Sequence, residues 1–287
     1  MKGTAIARTL AVLVLSTLLL FVSTGCGNLF APLPAQLFTA PLEIDGENVG
    51  HAIIDTGGGY ELMLRSRYGL DVIETVEVLA FTGRRLVGFT ETFPYTAGGI
   101  ETSADGAIVG LEVCDCNGIG FQFFRKTGAV LGLDFPTGEA EFHPQTPEAG
   151  GVVLPFEGAP PQMQSFDSAF VTVTVRADGQ SREVLGLLDT GTNWTVLRRG
   201  LFPSTNPLIP DQLDVQIGRD DLGVVVARVG LFDTPGLPDL ILGTDVMRAW
   251  SDRWYFRYDL QGGEVIAFPP SSLLPTVSTT ASPAVTD

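Results

Sequence analysis

Cysteine and histidine are scarce: three of one and two of the other stand in a chain of 287 residues. So few thiols cannot build the disulfide framework of a small secreted scaffold, and Cys114 and Cys116, with neither histidine at ligand spacing, cannot complete a zinc site. Basic side chains are short as well, 17 Lys and Arg against 33 Asp and Glu, and they form no cluster. A formal charge of −16 is the wrong sign for a phosphate backbone, which excludes nucleic acid as a partner. The N-terminal apolar run, Leu10–Val22, is too short to cross a bilayer. There is no Gly-x-Ser-x-Gly elbow, and Gly57-Gly58-Gly59 has neither the lysine nor the spacing of a phosphate loop. No cofactor and no metal is expected.

What the N-terminus does have is an export pattern. Lys2 and Arg8 precede Leu10–Val22, and Val22-Ser-Thr-Gly-Cys26 follows. This resembles a bacterial lipoprotein signal, in which small residues precede a cysteine that is acylated on sulfur and becomes the new N-terminus; Ser23 stands where such signals usually carry Leu. The resemblance implies lipidation at Cys26 and an exported protein held to a membrane of the cell envelope, on its periplasmic or extracellular face. A cleaved secretory signal with Cys26 merely nearby is the alternative. Losing residues 1–25 removes Lys2 and Arg8, so the mature charge is −16 − 2 = −18. Cys114 and Cys116, two apart on a strand, point to one face, so a bond between them is expected to be strained and both are read as structural thiols.

Along the chain the expected order is a signal with its lipidation cysteine (1–26), a Pro-rich tether (27–38), a first lobe (39–146), a Pro/Gly-rich linker (147–165), a second lobe (166–268) and a disordered tail (269–287). Short apolar runs cut by Gly, Pro and Asn, among them Val72–Phe81, Leu86–Phe93, Ala107–Val113 and Gly120–Phe124, predict strands. The halves repeat. Asp45-Gly46 joins two strand patterns ending at Asp55, and Asp178-Gly179 joins two ending at Asp189. Leu131-Gly132-Leu-Asp134 is matched with Leu242-Gly243-Thr-Asp245, and Gly138-Glu139 with Gly263-Glu264. A helix is expected over Asp245–Ser251. Asp134 and Asp245 are read as turn or cap residues.

Each half carries an apolar pair running into Asp-Thr-Gly: Ile53-Ile54-Asp55-Thr56-Gly57 and Leu187-Leu188-Asp189-Thr190-Gly191. With Val130-Leu131-Gly132 and Ile241-Leu242-Gly243 these motifs resemble a two-lobed aspartic protease of the pepsin and retropepsin clan over residues 39–268. The resemblance implies an all-β fold of two pseudo-two-fold-related, retropepsin-like β-barrel lobes with a cleft between them. It also implies a monomer that hydrolyses peptide bonds in a peptide or protein substrate, with Asp55 and Asp189 as the catalytic pair. Two carboxylates brought together cannot both ionise cheaply, so they hold one proton between them, one ready to take a proton from water and the other to give one to a carbonyl.

In this reading Thr56, Gly57, Gly58, Thr190, Gly191 and Thr192 support the two loops. The glycines admit the tight turns and the threonines bond across the lobe junction. The residue after Asp-Thr-Gly is often Ser or Thr, whose hydroxyl bonds the outer carboxylate oxygen; Thr192 fits and Gly58 does not. Asp55 is therefore expected to be the less favoured anion and to carry the shared proton. A substrate flap is sought in residues 79–101, where Tyr95 and Ala97-Gly98-Gly99-Ile100 stand out, with Tyr95 equally at home in the core. The competing reading is an inactive protease-like lipoprotein that binds peptides or proteins as a scaffold.

Overall fold

The structure is a computed structural model that describes residues 12–13, 37–80, 83–110, 116–143, 150–157, 168–202, 212–259 and 262–268. Cys26, Cys114, the segment 27–36 and the tail 269–287 lie outside the described residues.

Each half opens as its pattern predicts. Thr39–Ile44 and Glu47–Asp55 form one antiparallel hairpin, Phe170–Ala177 and Gln180–Leu188 another. Both turns need positive φ at two successive residues, and Asp-Gly supplies it twice: Asp45 51° and Gly46 78°, Asp178 48° and Gly179 73°. Alternate side chains, including Leu42, Ile44, Ala52 and Ile54 in the first hairpin and Val173, Val175 and Leu187 in the second, turn into the core.

The strand running into each aspartate then gains a parallel neighbour. Leu240–Leu242 pairs with Gly186–Leu188, and Asn117–Gly120 pairs with Ala52–Asp55. A glycine then opens a seven-residue helix in each half, Gly120 before Phe121–Thr127 and Gly243 before Thr244–Trp250. This corrects the expected correspondence. Val130-Leu131-Gly132 is not the partner of Ile241-Leu242-Gly243, because Val130–Asp134 follows the first helix and lies between Glu139–His143 and Arg253–Asp259. Gly120–Phe124, expected as a strand, is a strand end and the start of a helix. From aspartate to helix-opening glycine the halves measure 120 − 55 = 65 and 243 − 189 = 54 residues. The extra hairpin Phe93–Ala97 and Ile100–Ala104 in the first half accounts for the difference.

Three sheets result. The first contains the strands up to Asn117–Gly120, including the long hairpin Val72–Ala80 and Gly83–Thr90, with Val12–Leu13 as a short parallel edge beside Val78 and Leu79. The second closes into a six-stranded barrel in the other half: Phe170–Ala177, Gln180–Leu188, Leu240–Leu242, Val196–Arg198, Gly223–Phe232 and Gln212–Arg219. The third joins the halves in the order Glu139–His143, Val130–Asp134, Arg253–Asp259, Gly262–Phe268, Val152–Pro155. Its last strand comes from the stretch expected to be linker, where Val152-Val-Leu154 pairs with Val265–Ala267 and buries Leu154. The fold is all-β with two short helices, and its two lobes meet where the aspartate turns face each other.

Most buried side chains form one continuous cluster through both halves. Phe38, assigned from sequence to the tether, is part of it: the ring is fully buried and edge-on to Phe135 at 5.0 Å. A second, small cluster joins Tyr60 and Met63 to Val76, Val78, Ala80, Val87 and Ile108, with Cys116 at its margin. Cys116 is in a disulfide, so the reading of it as a free structural thiol is corrected; with three cysteines in the chain its partner is Cys26 or Cys114. Among the described residues no helix is long and apolar enough to cross a membrane.

Candidate active site

The two Asp-Thr-Gly turns interlock through their threonines. Thr56 Oγ1 donates to Leu188 O at 2.8 Å and accepts from the Thr190 amide at 3.1 Å; Thr190 Oγ1 donates to Ile54 O at 2.7 Å and accepts from the Thr56 amide at 3.1 Å. Ser168 adds a 2.6 Å bond from its hydroxyl to Thr56 O. All four bonds of the exchange are buried, so each bond lost strands a polar atom away from water. Thr190→Val keeps the shape and orphans the Thr56 amide and the Ile54 carbonyl. It is expected to cost about 2–4 kcal/mol in urea unfolding with an unchanged m-value. The Thr56→Val/Thr190→Val pair should cost less than the sum of its singles, since both belong to one network.

The interlock brings the carboxylates together. A Cβ on Gly57 would stand 2.4 Å from Asp189 Cγ, and one on Gly191 2.7 Å from Asp55 Cγ, so each glycine is where the opposite carboxylate needs room. The Gly191 amide donates to Asp189 Oδ1 at 2.8 Å. Asp55 is 1% exposed and Asp189 fully buried. Burial pushes Asp55 up from 3.8 to about 7, against the Tyr60 hydroxyl, Asp189 and the amides of Gly58 and Gly57, which pull it down. Burial first, and then the charge of Asp55, hold Asp189 well above the ordinary carboxylate range. Taken as two anions, the pair would leave Asp55 Oδ1 and Asp189 Oδ2 buried with no donor. A proton on one carboxyl lets the two hydrogen-bond to each other, and that is the state the burial favours.

The hydroxyls after the turns do not sit where the sequence places them. Thr192 Oγ1 donates to Trp194 O at 3.1 Å and accepts the Trp194 amide at 3.3 Å, a local turn that takes it off Asp189. Asp55 does have a hydroxyl donor, and it is Tyr60, whose Oη lies 2.9 Å from Asp55 Oδ2. The expected placement of the hydroxyl donor is therefore reversed: it lies on Asp55 and is turned away from Asp189.

Gly120 and Gly243 press on the loops from behind, Gly120 against the carbonyls of Tyr60 and Gly58, Gly243 against the backbone of Trp194. The residue six past each aspartate ties its loop to the lobe's helix. Glu61 accepts from Lys126 Nζ at 3.2 Å and from Tyr95 Oη at 2.9 Å; Thr195 Oγ1 donates to Asp245 Oδ1 at 2.7 Å. Asp245 is thus a loop clamp, whereas Asp134 is a turn residue that accepts the Thr137 amide and pairs with Arg253. Sequence reasoning did not pick out Tyr60, Ser168, Glu61 or Thr195; their offsets from the two motifs were the available signal.

No family model and no curated protein sequence matches this chain. Among solved structures it is similar to the crystal structure of the aspartic proteinase from Irpex lacteus, with a TM-score of 0.52, 12% identity, and coverage of 82% of this chain and 95% of that one. The chain has an aspartic-proteinase-like fold. At that identity the likeness speaks for architecture alone, and the roles of Asp55 and Asp189 rest on their own geometry.

Of the two hairpins in the region expected to hold a flap, Phe93–Ala104 is packed into the core. Tyr95 is buried beside Phe93 and Phe123, and Gly98 lies on the Phe142 ring. The long hairpin Val72–Thr90 instead shares a small buried cluster with Tyr60 through Val76, Val78, Ala80 and Val87, and reaches the other half, where Leu79 meets Gly236.

Proposed function

We propose that the protein is an aspartic-type endopeptidase whose Asp55 and Asp189 activate a water between them. The observation that carries this reading is the reciprocal interlock that buries two carboxylates as a pair able to hold one proton. The ionised carboxylate takes a proton from water as the water oxygen bonds to the peptide carbonyl carbon. The C=O π pair moves onto the carbonyl oxygen, which takes the other carboxyl's proton. The diol then collapses: one hydroxyl returns its proton to the second carboxylate, the C–N bond breaks, and the leaving nitrogen takes the proton held by the first. An acid and an amine leave, and the pair regains its starting charge with no covalent intermediate. Because both carboxylates are buried, substrate entry requires a covering element to move, and we assign that movement to the hairpin Val72–Thr90, which packs in a cluster with Tyr60 beside Asp55.

Incubating the full chain with a mixed peptide library from acidic to neutral pH, beside Asp55→Asn and Asp189→Asn, tests the reading. Cleavage by the parent alone supports it. No cleavage by any of the three, with peptides retained on the protein, would favour the binding scaffold instead.

We also read Cys26 as lipidated and the protein as exported, which the N-terminal pattern and the oxidised state of Cys116 support. Acylation uses up the Cys26 sulfur, so Cys116 should then bond Cys114. Cys26→Ser is expected to move the protein from the membrane to the soluble fraction; a Cys26–Cys116 peptide in a disulfide map would overturn the assignment.

A further inference from the structure

The residue five past the aspartate differs in kind between the lobes. Trp194 turns outward and is 42% exposed, while Tyr60 turns inward and is 3% exposed. Two other differences accompany it. Where the second lobe has Thr192 the first has Gly58, and where the second has Ile241 the first has Gly118. Both glycines are shaped by the tyrosine: a Cβ on Gly58 would lie 2.5 Å from Tyr60 Cε1, and one on Gly118 would lie 2.4 Å from Tyr60 Oη. The first lobe thus gives up two side chains at the positions that admit this one phenol. The ring belongs to a small buried apolar cluster with Val76, Val78, Ala80 and Val87 of the long hairpin, and its hydroxyl has an ionisable partner in Asp55.

We propose that Tyr60 is the positioning residue of the pair, its hydroxyl fixing Asp55 as the anion that takes the proton from water and leaving Asp189 as the carboxyl that donates to the substrate carbonyl. The proposal rests on the hydrolytic reading above for its consequence, and on geometry for its cause. A hydrogen bond donated to a carboxylate stabilises the charged form, and here the donor lies in a buried site where little solvent competes. Asp189 has no side-chain hydroxyl in the equivalent place, because Thr192 is engaged with Trp194. The groups acting on Asp55 are Asp189 across the lobe junction, Tyr60 and the amides of Gly57 and Gly58 on its own loop. From the strand Arg253–Asp259 the buried phenol of Tyr258 feels both carboxylates. The cluster adds a condition: Val76, Val78 and Val87 belong to the hairpin read above as the one that lifts for substrate, so the hydroxyl is held best when that hairpin is closed.

The test is Tyr60→Phe in the full chain, read in two ways. One is the acid limb of the pH profile of kcat/KM. The other, independent of turnover, is the carboxyl titration of the pair by NMR of protein carrying 13C-labelled aspartate, assigned with Asp55→Asn. Removing the hydroxyl should move the lower apparent pKa of the pair up by about one unit or more in both, since a hydrogen bond to a charged group is worth that much. It should also lower kcat with KM little changed. Incorporating 3-fluorotyrosine at position 60 keeps the shape and makes a better donor, so the same midpoint should move down. That second variant decides the matter if Tyr60→Phe fails to fold. Midpoints unmoved in the folded variants would overturn the proposal. If the parent cleaves no peptide yet the titration moves as stated, the proposal about the pair stands and the hydrolytic reading falls.

Discussion

Asp55→Asn and Asp189→Asn are each expected to lower peptide cleavage by about 10²–10⁴-fold, the contribution of a positioned acid or base, and at neutral pH to make the protein harder to unfold. The second effect follows from the direction of the shifts. Both carboxyls titrate higher in the folded chain than in the unfolded one, Asp55 at about 7 against an ordinary 3.8 and Asp189 higher in the same sense. Between those limits the folded state binds more protons than the unfolded state, so the free energy of unfolding falls as pH rises through that window. Below it both states are protonated and the cost vanishes. An asparagine has no charge to bury, so the variant should escape the loss. The gain over the parent should be near zero at about pH 3 and reach about 1–4 kcal/mol near pH 7.5, or roughly 2 °C or more in Tm. Calorimetry at the two pH values checks it, and an equal difference at both would show that the pair is not held at a raised pKa. This stability result does not depend on finding a substrate.

Such a trade, stability given up for a buried pair of carboxylates, is what an active site would show and a mere turn would not. It is also where sequence and structure agree best. The apolar pairs before Asp55 and Asp189 dictate buried strands, Asp45-Gly46 and Asp178-Gly179 dictate the hairpins that deliver them, and the resemblance to aspartic proteases implied the interlock of Thr56 with Thr190. The strands and hairpins are local, and local backbone chemistry reads directly from residue type, whereas the interlock joins residues 134 apart. What could not be read is which side chains fill one another's space. Gly58 looks like a missing hydroxyl until Tyr60 is seen occupying the room its side chain would need. Thr192 looks like the donor to Asp189 until its hydroxyl is found closing a turn with Trp194. Phe121-Gln-Phe-Phe124 reads as a strand by composition, yet it packs Phe121, Phe123 and Phe124 into the core from a helix, because tertiary packing outweighs the β-propensity of aromatic residues.

The same kind of error misassigned the glycine behind the first loop, and it can be put to a direct test. Val130-Leu131-Gly132 has the expected apolar-apolar-Gly spelling, and Asn117-Gly-Ile-Gly120 does not, because Gly118 has yielded its side chain to Tyr60. Structure favours the second. A Cβ on Gly120 would lie 2.0 Å from the Tyr60 carbonyl oxygen and 2.7 Å from that of Gly58, both backbone atoms of the loop that holds Asp55. A Cβ on Gly132 would meet His143 at 2.9 Å and Tyr255 at 3.0 Å, both side chains, the first of them 32% exposed and able to turn away. Gly120→Ala must therefore move the Asp55 loop or the strand behind it. It is expected to cost about 3 kcal/mol or more and to disrupt the Tyr60–Asp55 bond, with cleavage lost even in the fraction that folds. Gly132→Ala should cost under about 1 kcal/mol, since its neighbours can yield, and leave the pair's titration in place. Urea unfolding of the two variants, followed by carboxyl titration of whichever folds, separates the assignments: if Gly132→Ala proved the more damaging, Val130–Gly132 would have to be the element that backs the site.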